Sequence, residues 1–281
     1  MRVLITGSAG QLGRDLVPAF GAHNVVGLDH AACDVGDRAA VLDAISANRP
    51  DAVVHAAAWT AVDACESDPD RAFAVNALGT RHVAEAAARV GAYLCVISTD
   101  YVFDGRAGRP YCEWDQTNPQ SVYGRSKLGA EREAFAHPGS SVVRTSWLCG
   151  SGGPNFVATM LRLAERGGEV PVVDDQHGSP TFTADLAEAI QRLVVDQRPG
   201  LFHITNQGEA TWFEVARATF AAAGADPERV QSITTAELNP PRPAPRPAYS
   251  VLDNAALRLS GLPLLPDYRE SLPRLVKELL P

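Results

Sequence analysis

The sequence lacks a basic excess, a cysteine framework and any long apolar run. Its 25 Lys and Arg stand against 33 Asp and Glu, a formal net charge of −8, which argues against a nucleic-acid or anionic-membrane surface. The five cysteines are an odd number and none forms a C-x-x-C pair, so neither a disulfide framework nor a metal site is predicted. With no leader before the first strand and no membrane-length apolar segment, we expect a cytoplasmic protein whose partners are small molecules.

Short apolar strands instead alternate with helical patterns in the first half of the chain. Strands are predicted at 2–6, 24–28, 52–57, 94–98 and 141–145, and helices between them at about 11–20, 38–48, 70–90 and 121–136. This alternation predicts an α/β fold with a doubly wound parallel sheet of the Rossmann type. Ligands of such folds bind beyond the carboxyl ends of the strands.

The later part of the 281-residue chain has a looser pattern and predicts a second domain. We expect residues 1–149 to form a dinucleotide-binding domain, to which segments at about 183–204 and 251–281, including the last helix, return. Residues 150–182 and 205–250 are then a smaller, discontinuous C-terminal substrate-binding domain.

A glycine-rich loop follows the first strand and opens the first helix. It contains Gly7, Gly10, Gln11, Leu12 and Gly13. Glycines permit a tight turn and close approach of a ligand, and a helix N-terminus offers free N–H groups to phosphate. The loop is therefore predicted to hold the pyrophosphate of a nicotinamide cofactor.

The acidic residue that ends the second strand bears on which cofactor is used. Asp29 stands where a carboxylate would accept hydrogen bonds from the adenine ribose, which favours NADH over NADPH. Arg14 and His30 are near enough in sequence to leave room for a phosphate, so the cofactor is predicted as NADH or NADPH.

Two further segments are candidates to line the cofactor site, although packing explains the alanines nearly as well. The candidates are Asp34, Val35, Ala57, Ala58, Trp59 and Thr60.

A tyrosine and a lysine four residues apart are the predicted catalytic pair. Tyr123 and Lys127 share one helix face, so the ammonium is expected to stabilise the phenolate and lower the pKa of the phenol, which makes a proton donor. Thr99, at the end of the fourth strand, is the candidate to hydrogen-bond a reacting carbonyl, with Ser98 as the alternative. Asp100 either forms an Asx turn or hydrogen-bonds a sugar hydroxyl.

Longer strings give the sequence a family resemblance. The strings, beside the Gly-x-x-Gly-x-x-Gly loop, are Ser-Thr-Asp-Tyr-Val-Phe-Asp-Gly (98–105), Tyr-Gly-Arg-Ser-Lys-Leu (123–128), Arg-Thr-Ser-Trp (144–147), Asp-Gln-His-Gly-Ser-Pro-Thr (175–181) and Arg-Pro-x-x-Ser (246–250). They resemble the extended short-chain dehydrogenase/reductases, and among these the dTDP-4-dehydrorhamnose reductase family. The resemblance runs from about residue 2 to 255.

The resemblance implies a reaction and a set of site residues. The reaction is reduction of the C4 ketone of dTDP-6-deoxy-L-lyxo-4-hexulose, the last step of dTDP-L-rhamnose synthesis. Tyr123 is implied as the proton donor, and Thr99, Asp100, Lys127 and Trp147 are implied to meet the nucleotide sugar or the catalytic centre.

Two residues stay open within this resemblance. Trp59 stands where the family often has His or Tyr. Arg246 lies in the proline-rich segment 239–247, which could present its guanidinium to the diphosphate of the substrate, although a structural arginine explains it equally well.

Two other functions fit the same fold. One is another nucleotide-sugar enzyme, which is an epimerase, a dehydratase or a different ketoreductase. A dehydratase typically has an acid/base pair beside the threonine, and here Tyr101 follows Asp100 with no Glu. The other is a non-catalytic regulatory subunit of methionine adenosyltransferase, against which the intact Thr99, Tyr123 and Lys127 argue. We expect a monomer or a homodimer.

Overall fold

The structure is a computed structural model that describes residues 1–280. Its strands are β1 (Arg2–Thr6), β2 (Asn24–Leu28), β3 (Ala52–His55), β4 (Tyr93–Thr99), β5 (Ser140–Thr145), β6 (Leu148–Cys149), β7 (Val170–Val173), β8 (His177–Gly178), β9 (Thr181–Phe182), β10 (Gly200–His203), β11 (Ala210–Thr211) and β12 (Val230–Ile233). Its α-helices are α1 (Gln11–Ala19), α2 (Arg38–Asn48), α3 (Val62–Ser67), α4 (Pro69–Phe73), α5 (Gly79–Val90), α6 (Val122–Phe135), α7 (Phe156–Arg166), α8 (Thr183–Val195), α9 (Trp212–Ala222), α10 (Ala255–Leu259) and α11 (Tyr268–Leu279).

The main sheet has six parallel strands in the order β10-β5-β4-β3-β1-β2. Strands β3 and β4 are buried along their whole length, as expected for a parallel sheet covered on both faces. One face packs against α1, α8 and α10, and the other against α2, α5 and α6. The predicted doubly wound α/β fold is confirmed.

The register of the main sheet brings the predicted site residues to one edge. Thr6 of β1 lies beside His55 of β3, and Thr99 of β4 lies beside Thr145 of β5. Because the strands are parallel, the loops that leave their carboxyl ends meet at this edge.

The rest of the chain forms a second lobe around α7 and α9. Three two-stranded sheets, β7 with β12, β8 with β11 and β6 with β9, lie in or beside this lobe. Its apolar side chains form two clusters, one of them centred on Phe220 and Val172.

The last helix, α11, belongs to the second lobe and not to the first domain. α11 packs against α7 and α9 of the second lobe, whereas we expected it to return to the first domain. Its apolar face, with Tyr268, Leu272 and Leu275 at helical spacing, completes the cluster around Val157. The segments that do pack on the main sheet are α8, β10 and α10. The assignment of a cofactor-binding and a substrate-binding domain stays a prediction.

Local signals explain where the site helices begin. The Ser121 hydroxyl accepts a hydrogen bond from Gly124 N at 3.0 Å and caps α6. The predicted helix at 70–90 is interrupted by a π-helical turn, Ala74–Leu78, between α4 and α5.

Across residues 1–280, no helix combines the length and the apolar character that a membrane crossing requires.

Candidate active site

The glycine loop folds into a tight cradle at the start of α1, in which side chains would clash with the protein's own backbone. Gly7 has φ +70, and a Cβ there would lie 2.7 Å from Ala57 N. A Cβ on Gly13 would lie 2.2 Å from the Gly7 carbonyl oxygen. Helix α1 begins directly after Gly10, whose position as N-cap supplies no side-chain hydrogen bond to the helix. The free N–H groups at this end suit an anion such as a pyrophosphate.

Two cavities meet at the cradle and share Gly7 and Gly10. One has a volume of about 560 Å³, and the predicted residues that line it are Gly7, Gly10, Gln11, Leu12, Gly13, Ala58, Thr60, Thr99, Asp100, Tyr123, Lys127 and Trp147. The other has about 330 Å³, and the predicted residues that line it are Gly7, Gly10, Asp29, Asp34, Val35, Ala57, Ala58 and Trp59. After the roles that the sequence predicts for their residues, we call them the catalytic cavity and the adenosine cavity. Together they contain every predicted site residue except Arg246.

Tyr123 lies near the start of α6 and is almost entirely buried. Burial raises the pKa of its phenol, and hydrogen bonding with Thr99 opposes the shift. We expected Lys127 to lower this pKa, but the Lys127 ammonium donates to the Ile97 carbonyl at 2.7 Å. A phenol with a raised pKa stays protonated, which is the form that donates a proton.

Lys127 is buried one turn after Tyr123. Burial lowers the pKa of its ammonium to about 8, and the nearby Glu131 carboxylate opposes this shift. Glu131 is itself held in a buried ion pair with Arg144, at 2.7 Å. The charge of the lysine is therefore disfavoured by burial and favoured only by Glu131, a carboxylate that Arg144 already neutralises.

The hydroxyls at the end of β4 have different partners. Ser98 Oγ donates to Glu131 at 2.6 Å, so that hydroxyl is already used behind the cavity. Thr99 Oγ1 accepts from Tyr101 N at 3.2 Å and donates to Asp100 Oδ1 at 3.0 Å. Thr99, rather than Ser98, is therefore the hydroxyl that can exchange partners within the catalytic cavity.

Asp100 is 1% exposed, and its Oδ2 atom has no hydrogen-bond partner within the protein. Burial raises the pKa of its carboxyl to about 6, and the hydroxyls of Ser250 and Thr99 oppose the shift. An orphaned buried oxygen beside Thr99 suits a ligand that brings its own donor, such as a hydroxyl.

The adenosine cavity carries charges of both signs. Asp29 Oδ1 accepts from Ala32 N at 2.9 Å, which orients the carboxylate. The Arg71 guanidinium lies 4.5 Å from the centre of the Trp59 ring and also lines this cavity. Arg14, which we considered as a phosphate partner, instead donates to the Ala9 carbonyl.

Sequence reasoning missed the amide that holds Trp59. Asn76 accepts from Trp59 N at 2.8 Å and donates to Trp59 O at 3.1 Å. It also donates to Ser126 Oγ, which donates to the carbonyl of Tyr123. A polar residue in an otherwise apolar helical stretch was the one signal that could have indicated this link between the adenosine cavity and the catalytic helix.

Histidines beside the site are structural in this arrangement. His55 lies between the Thr6 and Thr80 hydroxyls, at 2.7 and 3.2 Å. Burial lowers its pKa to about 3, so the ring is neutral. Within residues 1–280, no group of three or more His, Cys, Asp and Glu side chains is arranged to hold a metal ion.

Arg246 lines neither cavity. Its guanidinium pairs with both oxygens of Asp63 on α3, one of them at 2.7 Å, and donates to the Ala244 carbonyl. The arginine side chain is 8% exposed. The expectation of a guanidinium presented to a diphosphate therefore has no support in this geometry, because Asp63 already satisfies the charge.

The family model of the RmlD substrate binding domain matches residues 1–280. The chain belongs to this family. The match confirms the resemblance inferred from the sequence strings and extends it beyond residue 255 to include α11.

Individual relatives of the RmlD family agree over nearly the whole chain. A dTDP-4-dehydrorhamnose reductase of Streptomyces griseus is 47% identical over 96% of this chain and 91% of its own length. A dTDP-4-keto-6-deoxy-D-glucose reductase of Streptomyces niveus is 41% identical over 93% of this chain and 91% of its own. The crystal structure of a dTDP-4-dehydrorhamnose reductase from Bacillus anthracis in complex with NADP is 38% identical and superposes with a TM-score of 0.95, covering 99% of both chains.

Proposed function

We propose that this protein reduces the C4 ketone of dTDP-6-deoxy-L-lyxo-4-hexulose to give dTDP-L-rhamnose, with NADH or NADPH as the reductant. The observation that carries the proposal is the convergence of Thr99, Tyr123 and Lys127 in a cavity continuous with the glycine cradle. Relatives at 41 to 47% identity are named as reductases of dTDP-linked keto sugars, which supports the same chemistry.

The residues present fit a nicotinamide dinucleotide. Gly7 and Gly13 let the loop fold tightly against its own backbone, at the uncapped N-terminus of α1, and we assign this cradle to the pyrophosphate. Asp29 would hold the adenine ribose, and Lys127 the nicotinamide ribose. When bound, the reduced nicotinamide supplies a hydride to the sugar.

The chain's own residues supply the proton and the orientation. Tyr123, kept neutral by burial, donates its phenol proton to the oxygen that develops negative charge at C4. The Thr99 hydroxyl lies beside the phenol and fixes the carbonyl. Asp100, with its free Oδ2, accepts a hydrogen bond from a hydroxyl of the sugar. Trp147 forms part of the wall against which the nucleotide sugar rests.

The test is the Tyr123→Phe variant, assayed by the absorbance of reduced cofactor at 340 nm. Loss of the donated proton should lower kcat by about 10² to 10⁴, while cofactor affinity stays within about twofold of wild type. Tyr268→Phe is the matched control, because it also removes a buried tyrosine hydroxyl but lies outside both cavities. A Tyr123→Phe enzyme with more than about a third of wild-type activity would contradict the assignment.

A second candidate is reduction of a different dTDP-linked 4-keto sugar, which the Streptomyces niveus relative favours. Supplying the L-lyxo and the D-glucose-derived ketones separately distinguishes the two, because only the correct sugar gives high kcat/KM. The same assay separates a reductase from an epimerase or dehydratase, since these consume no net reduced cofactor. We also propose that the protein is cytoplasmic and that it is a monomer or a homodimer. Analytical ultracentrifugation measures the oligomeric state.

A further inference from the structure

The backbone of Trp147 is in an unusual conformation. Its φ is +47, in the left-handed region that bulky residues rarely adopt. Such a conformation persists only when the surrounding structure holds it in place. Two contacts of its indole, with Trp212 and with Gly178, hold Trp147 in place.

The first contact is with a second tryptophan, Trp212, which was not among the predicted site residues. The indole of Trp212, the first residue of α9, stacks on Trp147 with ring centres 3.6 Å apart and planes 7° from parallel. Phe156 packs against Trp212, 4.6 Å away and tilted by 51°. The stack is thus supported from the side of the second lobe.

The second contact is between the Trp147 indole and Gly178. A Cβ on Gly178 would lie 2.3 Å from Cε2 of the Trp147 indole, so the indole rests directly on the glycine backbone. Gly178 is in β8, which pairs with β11 through Ala210, and β11 ends one residue before Trp212. The glycine support and the stacking partner therefore come from one small sheet and the helix that follows it.

These contacts cross between the two lobes. Trp147 follows β5 of the main sheet, whereas Trp212 and Gly178 belong to the second lobe. Both indoles line the catalytic cavity with Thr99 and Tyr123, and neither lines the adenosine cavity. An indole held in this way can present a fixed wall to a ligand without losing side-chain entropy on binding.

We propose that Trp212 and Gly178 are positioning residues that clamp the Trp147 indole across the lobes and thereby set the affinity for the nucleotide sugar. This inference rests on the proposed function, because it takes the ligand of the catalytic cavity to be that sugar. The clamp acts on binding rather than on proton transfer, since Thr99 and Tyr123 lie on other elements. It should therefore change KM and leave kcat nearly unchanged.

The test compares Trp212→Ala, Trp147→Ala and the double variant in steady-state kinetics. Trp212→Ala should raise KM for the nucleotide sugar about five- to tenfold, the size typical of one lost aromatic contact, with kcat and cofactor affinity within about twofold. The double variant should be little worse than Trp147→Ala alone, because Trp212 acts through Trp147. Trp212→Phe should recover most of the affinity.

Gly178→Ala tests the clamp from its other side and should also raise KM. Trp114→Ala is the control, because Trp114 is 69% exposed and lines neither cavity. If Trp212→Ala does not fold, Trp212→Leu keeps apolar volume without the stack and should raise KM in the same way. Multiplicative effects in the double variant, an unchanged KM, or a loss of cofactor affinity instead would each overturn the proposal.

A substrate-independent measurement separates this inference from the proposed function. Two stacked indoles couple and give a shared circular dichroism couplet that neither ring gives alone, so Trp147→Phe and Trp212→Phe should each abolish this couplet, and the double variant should remove no more of it. Separate and additive losses would refute the clamp even if the enzyme reduces the sugar. If the wild type does not reduce the sugar but the shared signal is present, the proposed function fails while the clamp stands.

Discussion

Asp100 is a carboxyl group kept in a cavity wall at the expense of stability, and this can be measured. It is 1% exposed, and burial raises its pKa from 3.8 to about 6. A raised pKa means that the folded protein binds this proton more tightly than the unfolded chain. The resulting stabilisation is complete below pH 3.8 and is lost as the pH rises through about 6. At about 1.4 kcal/mol per pH unit, the loss amounts to about 3 kcal/mol at neutral pH.

Asp100→Asn removes the titration but keeps the size of the side chain. Its amide oxygen can still accept the hydrogen bond that Thr99 donates to Oδ1. We therefore expect the variant to be about 1 to 3 kcal/mol more stable than wild type at pH 8, and the difference to shrink towards pH 4.5. Urea unfolding at pH 4.5, 6 and 8 measures the free energies, with m-values compared to check that unfolding stays two-state.

Asp43→Asn is the matched control, since Asp43 is exposed on α2 and lines neither cavity. It should change the free energy of unfolding by less than about 0.5 kcal/mol at each pH. A stability difference for Asp100→Asn that is equal at pH 4.5 and pH 8 would refute the reasoning. Because a carboxylate retained against stability is expected to have a function, kcat/KM of the variant should fall; a variant both more stable and fully active would show that the carboxylate does nothing in the reaction.

The remaining predictions concern the two ends of the site. Asp29→Ala should weaken NADH binding more than NADPH binding, because the carboxylate favours a ribose hydroxyl and repels a 2′-phosphate. Arg71→Ala removes a positive charge from the same cavity and should weaken NADPH binding more than NADH binding. Fluorescence titration with each cofactor measures these affinities. Arg246→Ala and Asp63→Ala should raise KM for the nucleotide sugar by similar factors and the double variant no further, since the pair braces the proline-rich loop. An effect of Arg246→Ala alone would instead indicate direct contact with the diphosphate, and KM within about twofold for both would exclude either role.

The residues that sequence analysis placed in the site have local signals. Glycines directly after a strand, and a Tyr and a Lys at one-turn spacing, are patterns whose meaning depends only on neighbouring residues. The alternation of strands and helices then brings the ends of β1 and β4 to one edge, because parallel strands align their carboxyl ends. This is why Gly7, Thr99 and Tyr123 were placed near one another without a structure.

What the sequence did not indicate depends on contacts between distant segments. Arg246 meets Asp63, 183 positions away, and nothing near the arginine announces that partner. Trp212 reads as an ordinary apolar helix residue until its stack with Trp147 is seen. The apolar face of α11 was visible in the sequence, but periodicity shows that a helix is buried on one side and does not say against which lobe.

The pKa shifts in the catalytic cavity follow one physical rule. Burial raises the pKa of Tyr123 and of Asp100 and lowers that of Lys127, so each group is pushed towards its neutral form. The polar groups suited to an anion are instead at the open end of α1 beside Gly10. Charge is thereby separated along the site: the end that would hold pyrophosphate favours negative charge, while the reacting end disfavours it until a proton donor is adjacent. A neutral ketone is the substrate that such a reacting end admits most easily, and the oxygen that becomes negative during reduction is the one atom there that needs the Tyr123 proton.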